Sequence, residues 1–279
     1  MENKTCIVAI LKNEEPFLDE WILYHRMLGI SHFFLYDDNP SFPLKDFLSP
    51  HADYVTVINW FGMDRAFNIM GSNQSKSYLH GLVNYAVEFD WVLFIDGDEF
   101  IVLRQHDTIP RFLSEFKDSV AVSLNWHVFG HNGYYENPEG LITSSLTRRL
   151  KEPNINIKTF NRPEKIVELL SAHYCIVDGL RSDANNRPFR LDLYPGRTDL
   201  AHINHYQCRS FKNWMNRSVR GDVLFRTENA PDRHRWRFTE ESLLQKFVES
   251  VAKDRNEFVD EYMLKYKDAL ELQIKKIKR

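Results

Sequence analysis

The 279-residue chain has only three cysteines, Cys6, Cys175 and Cys208, and they show neither metal-ligand spacing nor a pairing framework. That excludes a disulfide scaffold and suits a reducing compartment. No apolar run approaches membrane-spanning length, and Met1-Glu-Asn-Lys-Thr5 lacks the basic region and apolar stretch of a signal peptide. A cytoplasmic location is therefore the expectation. The formal charge is only −3, so bulk attraction to nucleic acid is not indicated. Internal repeats and low-complexity linkers are also missing. So are Gly-x-Gly-x-x-Gly and Gly-x-x-x-x-Gly-Lys-Ser/Thr after the first apolar run, which removes most support for dinucleotide-binding and P-loop readings.

What the chain does have is a stretch that organises the rest, Trp91-Val-Leu-Phe-Ile-Asp-Gly-Asp-Glu-Phe100. Trp91–Ile95 shows no polar alternation and reads as a short strand buried on both faces. Three carboxylates, Asp96, Asp98 and Glu99, stand at its end. Charge beside a core is costly unless it meets a cation or opens into a cleft. In open α/β sheets, ligands bind beyond the carboxyl ends of the strands. In extended geometry Asp96 and Asp98 share a face, and hard oxygen ligands of this kind suit Mg²⁺ or Mn²⁺ shared with phosphate oxygens. The same letters also spell a hairpin turn, Asp-Gly between the apolar runs Val92–Ile95 and Phe100–Leu103.

Around that stretch the pattern is α/β. Thr5–Leu11 is a first buried strand, followed by polar Lys12-Asn13-Glu14 and a helix opening near Pro16. That helix carries His25 on its apolar face, where it reads as a satisfied structural histidine. His32–Tyr36 and Tyr54–Trp60 are the next strands, the former ending in Asp37-Asp38. Ser72–Glu88 is a helix whose inward stripe is Tyr78, Leu82, Tyr85 and Phe89, with Gln74, Lys76 and His80 candidates for the cleft. Pro110–Phe116 is a short helix, Ser119–Phe129 a strand, and Asn154–Leu170 strand pieces around Arg162-Pro-Glu-Lys165. Gly179–Thr198 has no clear period and reads as a long loop. His202 and His205 follow, three apart; on a helix they would be neighbours, on a strand they would face opposite ways. Ser210 caps the next helix, and two amphipathic helices follow Thr239. Aromatics reach 14%, suiting either an aromatic core or a surface that stacks on bases and sugars. The tip Lys275-Lys-Ile-Lys-Arg279 is a candidate for peripheral contact with an anionic membrane surface.

Four pieces occur in one order over residues 5–222: Lys-Asn-Glu after the first strand, the Trp91–Phe100 stretch, Arg-Pro-Glu-Lys, and His205-Tyr206 before a polar helix ending Arg220-Gly221. The series resembles the nucleotide-sugar glycosyltransferases of GT-A fold, in the family 2-like and family 92-like group, the latter with an Asp-x-Asp-Glu-Phe variant. The resemblance implies a Rossmann-type, mainly parallel sheet flanked by helices. Residues 1–222 would form the catalytic domain, and 223–279 a helical extension packed on it. It implies transfer of a sugar, with UDP-hexose the donor class, to a glycan or lipopolysaccharide-type acceptor, with inversion and a Mn²⁺ or Mg²⁺ cofactor. Asp98 would bind the metal, Asp96 the ribose or a metal-bound water, and His205 would be the late metal ligand, with His202 as second choice. Lys12, Asn13, Glu14 and Asp37 or Asp38 would line the nucleotide pocket. Arg220, with Lys76 or Arg209, would neutralise the departing diphosphate. The later half lacks the Glu-Asp pair of family 2, which leaves Glu164, Asp232 and Asp183 as candidates for the base. The terminal helices are candidates for a homodimer contact. A nucleotidyltransferase, or an idle sugar- or partner-binding protein of the same fold, is the alternative.

Overall fold

The computed structural model describes residues 3–63, 71–189, 196–220, 245, 247 and 255–277, and the side chains of 218–220 lie outside that description. Asp232 falls outside it, as do 240–244, 246, 248–254 and 278–279 of the segment following Thr239.

β1 (Thr5–Leu11) is buried along its whole length because it is central in both directions. It pairs in parallel with β2 (His32–Asp37) on one edge and β4 (Trp91–Phe94) on the other. Its alternate side chains enter two cores. Ile7, Ala9 and Leu11 join Leu18, Trp21 and Ile22 of the Glu15–Met27 helix. Cys6, Val8 and Ile10 join Tyr78 and Leu82 of the Asn73–Asn84 helix. An unbroken apolar run is what a strand covered on both faces requires.

Among the described residues the main sheet has nine strands. β3 (Val55–Asn59), β2, β1 and β4 run parallel. β8 (Asn154–Asn161) then joins β4 antiparallel and passes the sheet on to β6 (Ser119–Val128). The far edge of β6 is shared by β11 (Leu180–Asp183) and β12 (Ala201–His205), both parallel to it. β5 (Glu99–Leu103) closes the order, antiparallel to β12. The expected α/β class with a mainly parallel sheet is what the structure shows. The apolar runs flanking Asp-Gly-Asp are not a hairpin: β4 and β5 lie at different places in the sheet and do not pair.

The fold corrects one reading and bears out another. The segment read as a long loop contains β11, whose letters Leu-Arg-Ser-Asp have no apolar alternation. Its buried face is polar instead: Arg181 stacks over Tyr174 at 4.3 Å and reaches Ser123 and Thr159 hydroxyls on β6 and β8. His25 is buried and bonded at both ring nitrogens, to Trp21 O (2.8 Å) and from Ile101 N–H (3.2 Å). Burial pushes it down to about 3, so it is a neutral structural histidine, as its helical position indicated. The Lys267–Ile277 helix packs against the Glu15–Met27 helix through Leu270, so this part of the C-terminal segment shares the main core.

Candidate active site at the end of β4

Beyond Phe94 the chain leaves the sheet in a tight turn, in which Glu99 N–H donates to Asp96 O at 3.1 Å. Gly97 sits at its apex, pressed on the loop after β1: a Cβ there would lie 2.8 Å from Leu11 Cδ2 and 3.7 Å from Glu14 Cγ. Leu11 is buried in the main core, so its side chain would have to shift against packed neighbours. Gly97→Ala is therefore expected to lower stability by about 1–3 kcal/mol, read from urea unfolding. An unchanged midpoint would show that the loop is not held this tightly.

The turn splits the two aspartates between different environments. Asp96 Oδ2 accepts from Lys158 Nζ on β8 at 2.9 Å, and its Oδ1 accepts from Gln74 Nε2 at 2.7 Å and Tyr78 Oη at 3.4 Å. Lys158 is fully buried and also lies 3.4 Å from Glu99 Oε2, which accepts the Asp96 backbone N–H at 2.9 Å. Burial opposes ionisation of Asp96, but the Lys158 ammonium outweighs it and holds the carboxyl below the usual range. Glu99 is fully buried, and burial raises it well above that range despite Lys158. One ammonium thus lies between a carboxyl held down and a carboxyl pushed up.

Asp98 meets a different pair of groups. Its Oδ1 stands 3.4 Å from His205 Nε2, and its Oδ2 accepts from Arg217 Nη1 at 2.5 Å. Burial works against its charge, but Arg217 and His205 together hold it well below the carboxylate range. Sheet register delivers the histidine: β12 pairs with β5 so that His205 stands opposite Glu99, and Tyr206 N–H donates to Asp98 O at 2.8 Å. The His205 ring packs on Trp126 at 4.2 Å, leaving Nδ1 buried without a hydrogen-bond partner. His202, one of the two metal candidates, points to the opposite face of β12, as alternation along a strand demands.

The other residues singled out in the sequence divide into those at this end of the sheet and those elsewhere. Glu14 forms a buried ion pair with Arg209 at 2.5 Å, and Arg209 also donates to Gly97 O at 3.3 Å, lying over Phe17 at 3.9 Å. Both therefore brace the turn. Asn13 adopts a left-handed φ of 55°, tolerated by asparagine, with its N–H on Asn39 Oδ1 at 3.2 Å. Asp37 uses both oxygens on its own loop, accepting from Asn39 N–H and side chain and from Leu44 N–H. Asp38 is buried beside it, and its N–H closes on Leu11 O at 2.9 Å. Lys12 follows β1 and Lys76 lies on the Asn73–Asn84 helix, both half-buried. Arg220 ends the Phe211–Arg220 helix. That helix is capped by Ser210 Oγ, which accepts Asn213 N–H at 3.0 Å.

Two base candidates are not brought to the turn. Glu164 is exposed in a 3₁₀ turn after the end of β8 that pairs with the start of β4, so β4 and β8 separate it from Asp96. Asp183 uses Oδ1 to hold the Asn185 and Arg187 N–H groups of its own turn. Lys158 and Arg217 are the site residues that reading the sequence missed. The signal for Lys158 was a lysine within a strand otherwise reading as core; for Arg217 it was a cation on the helix directly after the His-Tyr pair.

Asp98 and His205 fit a divalent cation. An ionised, nearly buried carboxylate with an imidazole on its free oxygen is a hard-plus-borderline donor set, which suits Mn²⁺ better than Mg²⁺. A second cluster also gathers ligand atoms: His127, His202 and Asp260, all buried, lie within 4.8 Å of one another. Its field is wrong for a cation, however. Asp260 Oδ2 is already held by Arg149 Nε at 2.9 Å and Arg104 Nη2 at 3.1 Å, so two guanidiniums face one carboxylate. Burial, the neighbouring His202 and Arg149 push His127 down to about 2.

The model of glycosyltransferase family 92 matches residues 4–257. A family 92 protein of Oryza sativa subsp. japonica is 29% identical over 167 residues, covering 58% of this chain and 27% of that protein. One of Arabidopsis thaliana is 27% identical over 182 residues, covering 61% and 30%. The chain thus spans less than a third of the length of these relatives. Among solved structures, similarity extends to glucosyl-3-phosphoglycerate synthase from Mycobacterium tuberculosis in complex with Mn²⁺ and uridine-diphosphate-glucose. There the TM-score is 0.35 and the identity 13%, over 60% of this chain and 58% of that one. Mannosyl-3-phosphoglycerate synthase from Rubrobacter xylanophilus gives a TM-score of 0.32 and 16% identity, over 47% and 42%. With the family match running through β1, the Asp-Gly-Asp turn and the His-Tyr strand alike, this chain belongs to glycosyltransferase family 92.

Proposed function

We propose that this domain transfers a sugar from a nucleotide-sugar donor, of the UDP-hexose class, to a hydroxyl of a glycan or glycolipid acceptor, with inversion and with a bound divalent cation. The observation that carries the reading is the pairing of ionised Asp98 with His205, beside Arg217, at the carboxyl end of β4. When bound, the metal would supply Lewis-acid stabilisation of the diphosphate as it departs. The chain's own residues do the rest. Asp98 and His205 would hold the ion, while Arg217 places a positive charge where leaving-group charge grows, a contribution that preorganised donors make without reorganisation. Lys158, Gln74 and Tyr78 fix Asp96 so that the turn keeps one shape through turnover. Inversion needs a general base at the acceptor hydroxyl. Glu164 lies away from the turn, so Asp232 is the candidate carried forward.

The test is calorimetric titration with UDP, GDP and CDP, each with and without Mn²⁺. We expect UDP to bind with a requirement for Mn²⁺, and the other two more weakly. No binding of any of the three would move the weight to a sugar- or partner-binding protein of the same fold. Binding indifferent to Mn²⁺ would remove the metal from the mechanism.

A further inference from the structure

The carboxylate that the metal reading needs, Asp98, already has a cation on one of its oxygens. Arg217 Nη1 donates to Asp98 Oδ2 at 2.5 Å and to Gln207 O at 3.1 Å, so the guanidinium is docked at the carboxylate the metal reading needs. The Arg217 side chain is still 30% exposed, whereas that of Asp98 is only 4% exposed. The arginine thus sits at the mouth and the carboxylate at the floor. The contrast with Lys158 is instructive. Lys158 is fully buried on a central strand, between Asp96 and Glu99, and has nowhere to go. Arg217 is carried by a helix at the rim and has solvent on one side.

We propose that Arg217 and the divalent cation are alternative occupants of Asp98. In the metal-free protein the guanidinium neutralises the carboxylate; when metal and donor arrive together, Arg217 leaves Asp98 for the diphosphate. The inference rests on the nucleotide-sugar reading above and adds to it a coupling between metal and nucleotide. A dication held by His205 and Asp98 Oδ1 would share the carboxylate with the full positive charge on Oδ2, which repels it unless an anion takes the guanidinium over. Diphosphate is such an anion, since arginine matches phosphate oxygens with paired donors. Metal alone therefore binds weakly, and each ligand strengthens the other, as linkage requires. The site is in this way protected against holding a cation when no donor is present.

The experiment compares wild type, Arg217→Met and Arg217→Lys by calorimetry, with Mn²⁺ alone and then with UDP at saturating Mn²⁺. Thermal melting checks that each variant is folded. The expected result is opposite signs in one variant. Arg217→Met binds Mn²⁺ alone about tenfold more tightly than wild type, because the competing charge is gone, and binds UDP about tenfold more weakly, because the diphosphate loses its partner. Arg217→Lys keeps the charge and stays within about threefold of wild type for Mn²⁺ alone. Arginine acting only as a structural brace would give unchanged or weaker Mn²⁺ binding in Arg217→Met, and that overturns the handover. So does UDP binding that the methionine leaves untouched. Failure of all three proteins to bind Mn²⁺, even with UDP present, overturns the metal reading itself and this inference with it; failure of the handover alone leaves wild-type Mn²⁺-dependent UDP binding intact.

Discussion

Replacing Asp98 by alanine is expected to lower the rate of nucleoside diphosphate release from the donor by about 10³-fold or more, and to abolish Mn²⁺-dependent nucleotide binding. The size follows from what Asp98 holds. It is the carboxylate that burial would neutralise but that Arg217 and His205 keep ionised. Without it, His205 is a lone imidazole and Arg217 loses its anchor. The stability cost should be small, about 1–2 kcal/mol, because Arg217 is partly exposed and can rehydrate. Asp96→Ala should show the reverse balance. It leaves Lys158 buried without its closest carboxylate, so unfolding is the larger effect and comes before any effect on the metal. Asp98→Ala retaining activity within tenfold of wild type, or retaining metal-dependent UDP binding, would remove Asp98 from the centre of the site.

The second large effect is expected at Lys158. Lys158→Met strips the counter-charge from half-buried Asp96 at 2.9 Å and fully buried Glu99 at 3.4 Å. Breaking a buried pair by removing one partner typically costs about 3–5 kcal/mol. The pH dependence carries a definite sign. Asp96 has a lowered pKa in the fold, so its contribution is present above its ordinary value of 3.8 and is lost as pH falls through the lower folded value. Glu99 has a raised pKa, so its contribution is present below its ordinary value of 4.5 and is lost as pH rises through the folded value. Wild type is therefore most favoured where Asp96 is charged and Glu99 holds its proton. In Lys158→Met neither acid has this cation, and both folded pKa values move up. The deficit should then shrink as pH falls, because protonation relieves the uncompensated charge. Urea unfolding at pH 8 and pH 5 measures this directly. Lys158→Met/Glu99→Gln should recover part of the loss at pH 8. A deficit independent of pH would mean that the methionine costs packing rather than charge.

The two aspartates were legible in the sequence as a pair, and the structure shows that they are not equivalent. An Asp-x-Asp pattern at the end of an apolar run says that two carboxylates leave a strand together. It does not say which of them meets which cation. That depends on β8, whose letters come some sixty residues later and whose register against β4 brings Lys158 under Asp96. His205 was legible as a candidate for the same kind of reason, and the antiparallel register of β12 on β5 decided between it and His202. Glu164 lies in a recognisable motif, but β8 runs antiparallel to β4 and carries it away from the turn.

Taken alone, the sequence determined the elements that rest on local physics: β1 and β4 from unbroken apolar runs, the Glu15–Met27 helix from its proline and periodic apolar face, Ser210 as a cap, and His25 as a core histidine. Each depends on residues within a turn or two of one another, so spacing reports it. The polar strand β11, the buried lysine and the guanidinium on Asp98 depend on contacts 58, 62 and 119 residues apart. Only the tertiary structure decided those, because the energy of a buried charge is set by the partner that chain topology brings to it, and no local pattern encodes that partner.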